Sequence, residues 1–199
     1  MLPTTNAALL ALGSAVILIT PGPTNTLLAA AGLSQGIGRA ARLTGAELAG
    51  YLVSISLWGH VLAHLASPLA WLPMLVRLAS SLYIAYLAVR MWHAAVSFAS
   101  SPQGSIGMRT LFVATLLNPK AILFAGTIFP AAAFASWPAY LEAMSIFSAL
   151  LVPIGLAWIA FGAELGRGRL KWVSPAQVQR CASVVLGTFS LSLAWTVIR

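Results

Sequence analysis

Aspartate is absent from the 199 residues, and the only carboxylate side chains are Glu47, Glu142 and Glu164. Charged residues make up 7% of the chain. A soluble domain carries about 25%, so an ordinary globular protein is excluded. A single cysteine, Cys181, rules out an internal disulfide and the paired thiols of a redox carrier. It reads as a small packing residue near a helix start. Three scattered carboxylates and one thiol supply neither a hydrolytic cluster nor a metal cage, although His60 and His64 share a helix face. No metal and no cofactor are expected. No Gly-x-x-x-x-Gly-Lys-Ser/Thr loop is present to bind a nucleotide. The first six residues contain no Lys or Arg, as a signal peptide would require, so the first apolar run reads as a retained span.

What is present is apolar sequence. Hydrophobic residues reach 60% and the mean hydropathy is +0.92. At about 20 residues per crossing, the length suits roughly six or seven spans, with no stretch left for a second, soluble domain. The net charge of +8 lies mostly in short loops, without a basic-aromatic module, so nucleic acid is set aside as a partner. The pattern predicts spans over about 7–33, 43–65, 71–92, 110–129, 139–165 and 181–198. Gly32, Gly36 and Gly38 mark the end of the first. Arg39, Arg42, Arg90, Arg109, Arg167, Arg169, Lys171 and Arg180 then fall on one side, which the positive-inside rule makes cytoplasmic. Both termini are therefore expected outside the cytoplasm. Gly45 with Ala49, and Gly162 with Gly166, are small-residue faces for close helix packing.

Two interruptions organise the chain. Pro21 and Pro23 remove backbone donors inside the first span, and Gly22 between them loosens the chain. Asn118-Pro119-Lys120 interrupts the fourth span in the same way. Broken backbone at bilayer depth is tolerated only against protein or a water-filled cavity. Each half has three spans, an interrupted first span, and a carboxylate (Glu47, Glu142) about one turn into its second. Three is odd, so the halves enter the membrane from opposite sides. The expected fold is an all-α membrane protein, a six-span bundle of two inverted three-helix repeats with broken first and fourth helices. It forms one transporter domain over 1–199, with halves of about 1–98 and 105–199.

Lys120 has two readings: a cation facing a central site, or a cap for carbonyls freed by Pro119. Glu47 is a proton or amine site, or the local partner of Arg42 or Arg39. Glu142, close to Trp137 and Tyr140, reads as an interfacial carboxylate. Arg77 reaches the outer interface or an acidic partner such as Glu142.

Thr20-Pro21-Gly22-Pro23-Thr24-Asn25-Thr26-Leu27-Leu28 resembles the first-span signature of the LysE/RhtB family of amino-acid exporters. Ser34-Gln35-Gly36 with Arg39 is similar to that family's following turn. Leu116-Leu117-Asn118-Pro119-Lys120-Ala121-Ile122-Leu123-Phe124 resembles its fourth-span signature, and length and span order are similar throughout. The resemblance implies efflux of amino acids or similar small solutes across the bacterial inner membrane. It also implies substrate binding near Pro21, Gly22, Pro23, Asn25, Asn118, Pro119 and Lys120. Many members carry Gly-Asp where this chain has Gly50-Tyr51, and Glu47 is the nearest acid. It stands as the candidate for proton coupling. The reading is a secondary transporter in a lipid bilayer, not an enzyme, with a homo-oligomer left open. The alternative is a passive channel or structural subunit, ahead of a membrane redox protein or enzyme.

Overall fold

The computed structural model describes residues 2–64, 71–96, 106–167 and 175–198. These form α1 (Thr4–Ile19), α2 (Pro23–Ala40), α3 (Leu43–His64), α4 (Leu72–Val96), α5 (Met108–Leu116), α6 (Lys120–Leu123), α7 (Trp137–Gly166) and α8 (Pro175–Ile198). A π-helical turn, Phe124–Ile128, extends α6, and a 3-10 turn, Ala131–Phe134, precedes α7. No strand occurs among the described residues. The expected all-α class is therefore correct.

Of the described helices, α7 is by itself long and apolar enough to cross a membrane. The pairs α1–α2 and α5–α6 qualify when each is taken together, bent by 56° and 48° at their breaks. Helices α3, α4 and α8 have the length, at 22, 25 and 24 residues, but are less apolar. Large apolar side chains also face outward. Leu12, Leu57, Leu82, Phe161, Leu191 and Trp195 are all exposed, on five different helices, a surface suited to lipid rather than water.

Glycine sets the closest contacts. A side chain at Gly162 would meet the Ala29 carbonyl oxygen at 1.8 Å, and one at Gly32 would meet that of Ile159 at 2.0 Å. The backbones of α2 and α7 therefore touch, which only residues without Cβ allow. Gly166 continues the contact against Leu33. The Gly162/Gly166 face thus packs as expected, whereas Gly45 has open space around it. Gly32 does not end its helix. The helix continues to Ala40, interrupted at Gly36, whose φ of 73° is the left-handed conformation glycine favours.

Helices α4 and α8 form a second close pair. Ser81 and Ser190 each donate to the other's carbonyl oxygen, at 3.1 and 2.9 Å, and Ser183 donates to that of Ala88 at 2.7 Å. Helix α3 packs on α5 and α6, with Gly50 against Thr115 and the Phe112 carbonyl. Tyr51 of α3, Phe124 of the π-helical turn and Phe147 of α7 meet edge to face, at centroid distances of 5.0–5.7 Å.

Several boundaries move. Helix α4 continues to Val96, past the expected end at Trp92, and α8 begins at Pro175, ahead of Cys181. Cys181 is exposed rather than packed. The rest of the loop expected over 94–108, as far as residue 105, and the basic residues Arg169 and Lys171 lie outside the described residues, as does the side chain of Arg77.

Candidate functional site at the two helix breaks

The first break follows from local chemistry. Helix α1 ends at Ile19 because Pro21 and Pro23 bring no N–H to the carbonyls behind them. Helix α2 begins on Pro23, where a missing N–H costs nothing. The last carbonyls of α1 then need partners. Asn25, on the first turn of α2, reaches back with its amide to the carbonyls of Leu18 and Thr20, at 2.7 and 3.0 Å. Lys120, about 100 residues later, brings its ammonium to the carbonyls of Ile17 and Thr20, at 2.9 and 2.6 Å. Three carbonyls freed by the first break are thus satisfied by two side chains, one of them from the second break.

Lys120 therefore caps, but not the carbonyls freed by Pro119. The partial negative charge at the end of α1 holds the cation. Gly22 makes room for it: a Cβ there would lie 3.0 Å from Lys120 Cε and Nζ. Its φ of −169° is ordinary extended backbone, so the close approach, and not the torsion, calls for glycine.

At the second break the Asn118 carboxamide oxygen accepts from the Lys120 backbone N–H at 3.0 Å and starts α6. Its NH2 donates to the Tyr51 hydroxyl at 2.8 Å and to Thr24 Oγ1 at 3.4 Å. Ser54 donates to the Leu116 carbonyl, freed where α5 ends, at 2.9 Å. Pro119 stands between these groups, half-buried, while Pro21 is exposed and Pro23 buried. Both breaks thus meet α3 in one polar cluster. Thr24, Asn25, Glu47, Tyr51 and Asn118 are each 4% exposed or less.

Glu47 sits on the cluster face of α3, buried, and Arg42 is exposed. The local ion pair with Arg42 is therefore not formed. Glu47 interacts instead with the Thr24 hydroxyl and, electrostatically, with Lys120. Among the described residues, Ser14 Oγ, Thr44 Oγ1 and Glu47 Oε2 are the buried side-chain atoms without a hydrogen-bond partner. Glu142 is not part of the cluster. It accepts from the Leu2 backbone N–H at 2.7 Å and ties the start of the chain to α7.

Sequence reasoning placed Thr24 beside the first break but gave no role to Thr44, Tyr51 and Ser54. A signal existed. Thr44, Glu47, Tyr51 and Ser54 recur at spacings of three and four on an otherwise apolar helix, the period of one helical face. All four are buried.

The sequence model of one protein family, described as LysE type translocator, matches residues 15–199. No curated protein and no solved structure matches the chain.

Proposed function

The chain belongs to the LysE type translocator family, and on that footing we propose that it exports amino acids or similar small solutes across the cytoplasmic membrane in exchange for protons. Residues 1–199 act as one transport domain of six spans in two inverted halves. The pairs α1–α2 and α5–α6 are its broken first and fourth spans. Substrate binds where the breaks meet, near Pro21, Gly22, Pro23, Asn25, Asn118, Pro119 and Lys120. Glu47 carries the exchanged proton, with Thr24, Tyr51 and Lys120 as the groups around it.

The observation that carries this reading is the tie between the breaks, in which Lys120 of one caps the helix end of the other. An interruption that only shaped packing needs no such cation. A substrate carboxylate suits the N-terminus of α2, with its positive dipole end and free amides, beside the third donor of the Lys120 ammonium.

The packing supports the inverted halves. The first span packs on the fifth (α2 on α7), and the fourth packs on the second (α5 and α6 on α3). Exchanging the halves converts each contact into the other. The third and sixth spans, α4 and α8, pair with each other, as a two-fold axis between them requires. The offset that carries Ser81 onto Ser183 also carries Ala88 onto Ser190. The bond from Ser81 to the Ser190 carbonyl and that from Ser183 to the Ala88 carbonyl are then one contact seen twice.

The test is uptake of radiolabelled amino acids and inorganic ions into proteoliposomes, with and without an imposed pH gradient. Amino-acid counterflow and gradient-driven accumulation are expected. Flux without trans-stimulation identifies a passive channel and overturns the carrier reading.

A further inference from the structure

Two of the three unpaired buried side-chain oxygens among the described residues lie close together on α3. Glu47 Oε2 and Thr44 Oγ1 have no partner, although Glu47 is 1% and Thr44 4% exposed. A buried polar atom left unpaired is costly, and deep in a membrane protein water is scarce. They lie three residues apart on α3 and so share a face. Both side chains meet α7 at one point. A Cβ on Gly155 would lie 2.9 Å from Glu47 Oε2 and 3.1 Å from Thr44 Cγ2, with Leu28 Cδ1 at 3.5 Å as an apolar wall.

We propose that Thr44 Oγ1 and Glu47 Oε2, on the face of α3 that meets α7 at Gly155, form the subsite that receives the substrate's primary ammonium group. Three carbonyl acceptors at the first break are already engaged. The carbonyls of Ile17, Leu18 and Thr20 are held by Lys120 and Asn25. An ammonium brings three N–H donors and one positive charge, matching an unpaired carboxylate oxygen and an unpaired hydroxyl. Thr24, Tyr51 and Lys120 complete the polar surroundings of Glu47, while α7 contributes bare backbone at Gly155. That glycine lets α7 approach the pair closely, and a methyl group there crowds the Glu47 carboxylate oxygen. This inference rests on the transport reading and adds the point at which the amine docks.

The experiment compares counterflow of L-threonine, L-leucine and L-lysine with that of their 2-hydroxy-acid analogues, in sodium-containing and sodium-free proteoliposomes. The parent protein is expected to move at least one of the amino acids but not its hydroxy analogue, with or without sodium. Thr44→Val keeps the shape and removes the hydroxyl. It is expected to raise the half-saturating concentration about tenfold, the loss of one hydrogen bond to a charged group, with the melting temperature and the maximal rate nearly unchanged. Gly155→Ala is expected to raise it further. Equal transport of the hydroxy analogue overturns the amine subsite and leaves the transport reading standing. A sodium requirement assigns the two oxygens to a metal cation, and an unchanged half-saturation in Thr44→Val assigns them to water. Either result overturns the proposal. A parent protein that moves none of the compounds overturns the transport reading, and this inference with it.

Discussion

The Lys120 ammonium lies 2.6 Å from the Thr20 carbonyl oxygen, joining the second helix break to the first across about 100 residues of chain. A cation inside a bilayer is costly, at about 2.5–3.5 kcal/mol on insertion scales. Here it is offset by the Ile17 carbonyl, which otherwise has no donor, and by that of Thr20, which it shares with Asn25.

Lys120→Ala is expected to leave the Ile17 carbonyl without its donor and Thr20 with Asn25 alone. The cost is about 1–3 kcal/mol, read as a lower melting temperature in detergent. Transport per folded molecule is expected to fall about tenfold or more, since the breaks separate. Activity that falls only in proportion to folded protein makes Lys120 a structural cap and nothing else.

Glu47→Gln keeps the size of the side chain and removes its charge and titration. Accumulation driven by a pH gradient is expected to disappear. Counterflow is expected to persist at saturating substrate, with a half-saturating concentration raised about tenfold by loss of a charge-assisted bond. Unchanged gradient-driven export in this variant means that Glu47 does not carry the proton.

Gly162→Ala places a methyl group 1.8 Å from the Ala29 carbonyl oxygen. No rotamer relieves a Cβ clash with backbone, so α2 and α7 must separate. The loss is expected to exceed about 3 kcal/mol, seen as little or no monodisperse protein on gel filtration. Gly45→Ala, in open space, serves as the neutral control.

Ser81→Ala and Ser183→Ala test the two-fold relation between the halves. Each removes a serine donor to a carbonyl on the facing helix, worth about 0.6 kcal/mol in a membrane protein. Similar losses of thermal stability are expected from the two variants. A large effect from one and none from the other breaks the equivalence of α4 and α8.

Topology is tested by cysteine labelling in a Cys181→Ser background. A cysteine placed at position 101 is expected to be shielded from an impermeant reagent in intact cells, and one at Ser136 to be labelled. The reverse pattern places both termini in the cytoplasm.

The sequence by itself determined where the helices break. Proline acts on its own backbone and on the residue before it, so Pro21, Pro23 and Pro119, beside Gly22 and Asn118, mark the breaks, whereas Pro153 lies inside α7 without ending it. It also determined the all-α class and the family, through composition and contiguous motifs. Only the tertiary structure decided who satisfies the broken ends. Lys120 was open to facing a central site or capping its own break, and it caps the other break, because the free carbonyls of α1 come within reach only when the halves pack. Glu47 was open to pairing with Arg42. Packing turned it inward toward Thr24 and Gly155, leaving Arg42 outside. Gly45 and Gly162 look alike in sequence, and one faces open space while the other touches a helix backbone. Spacing marks which residues share a face, whereas the neighbour of that face is set by long-range packing.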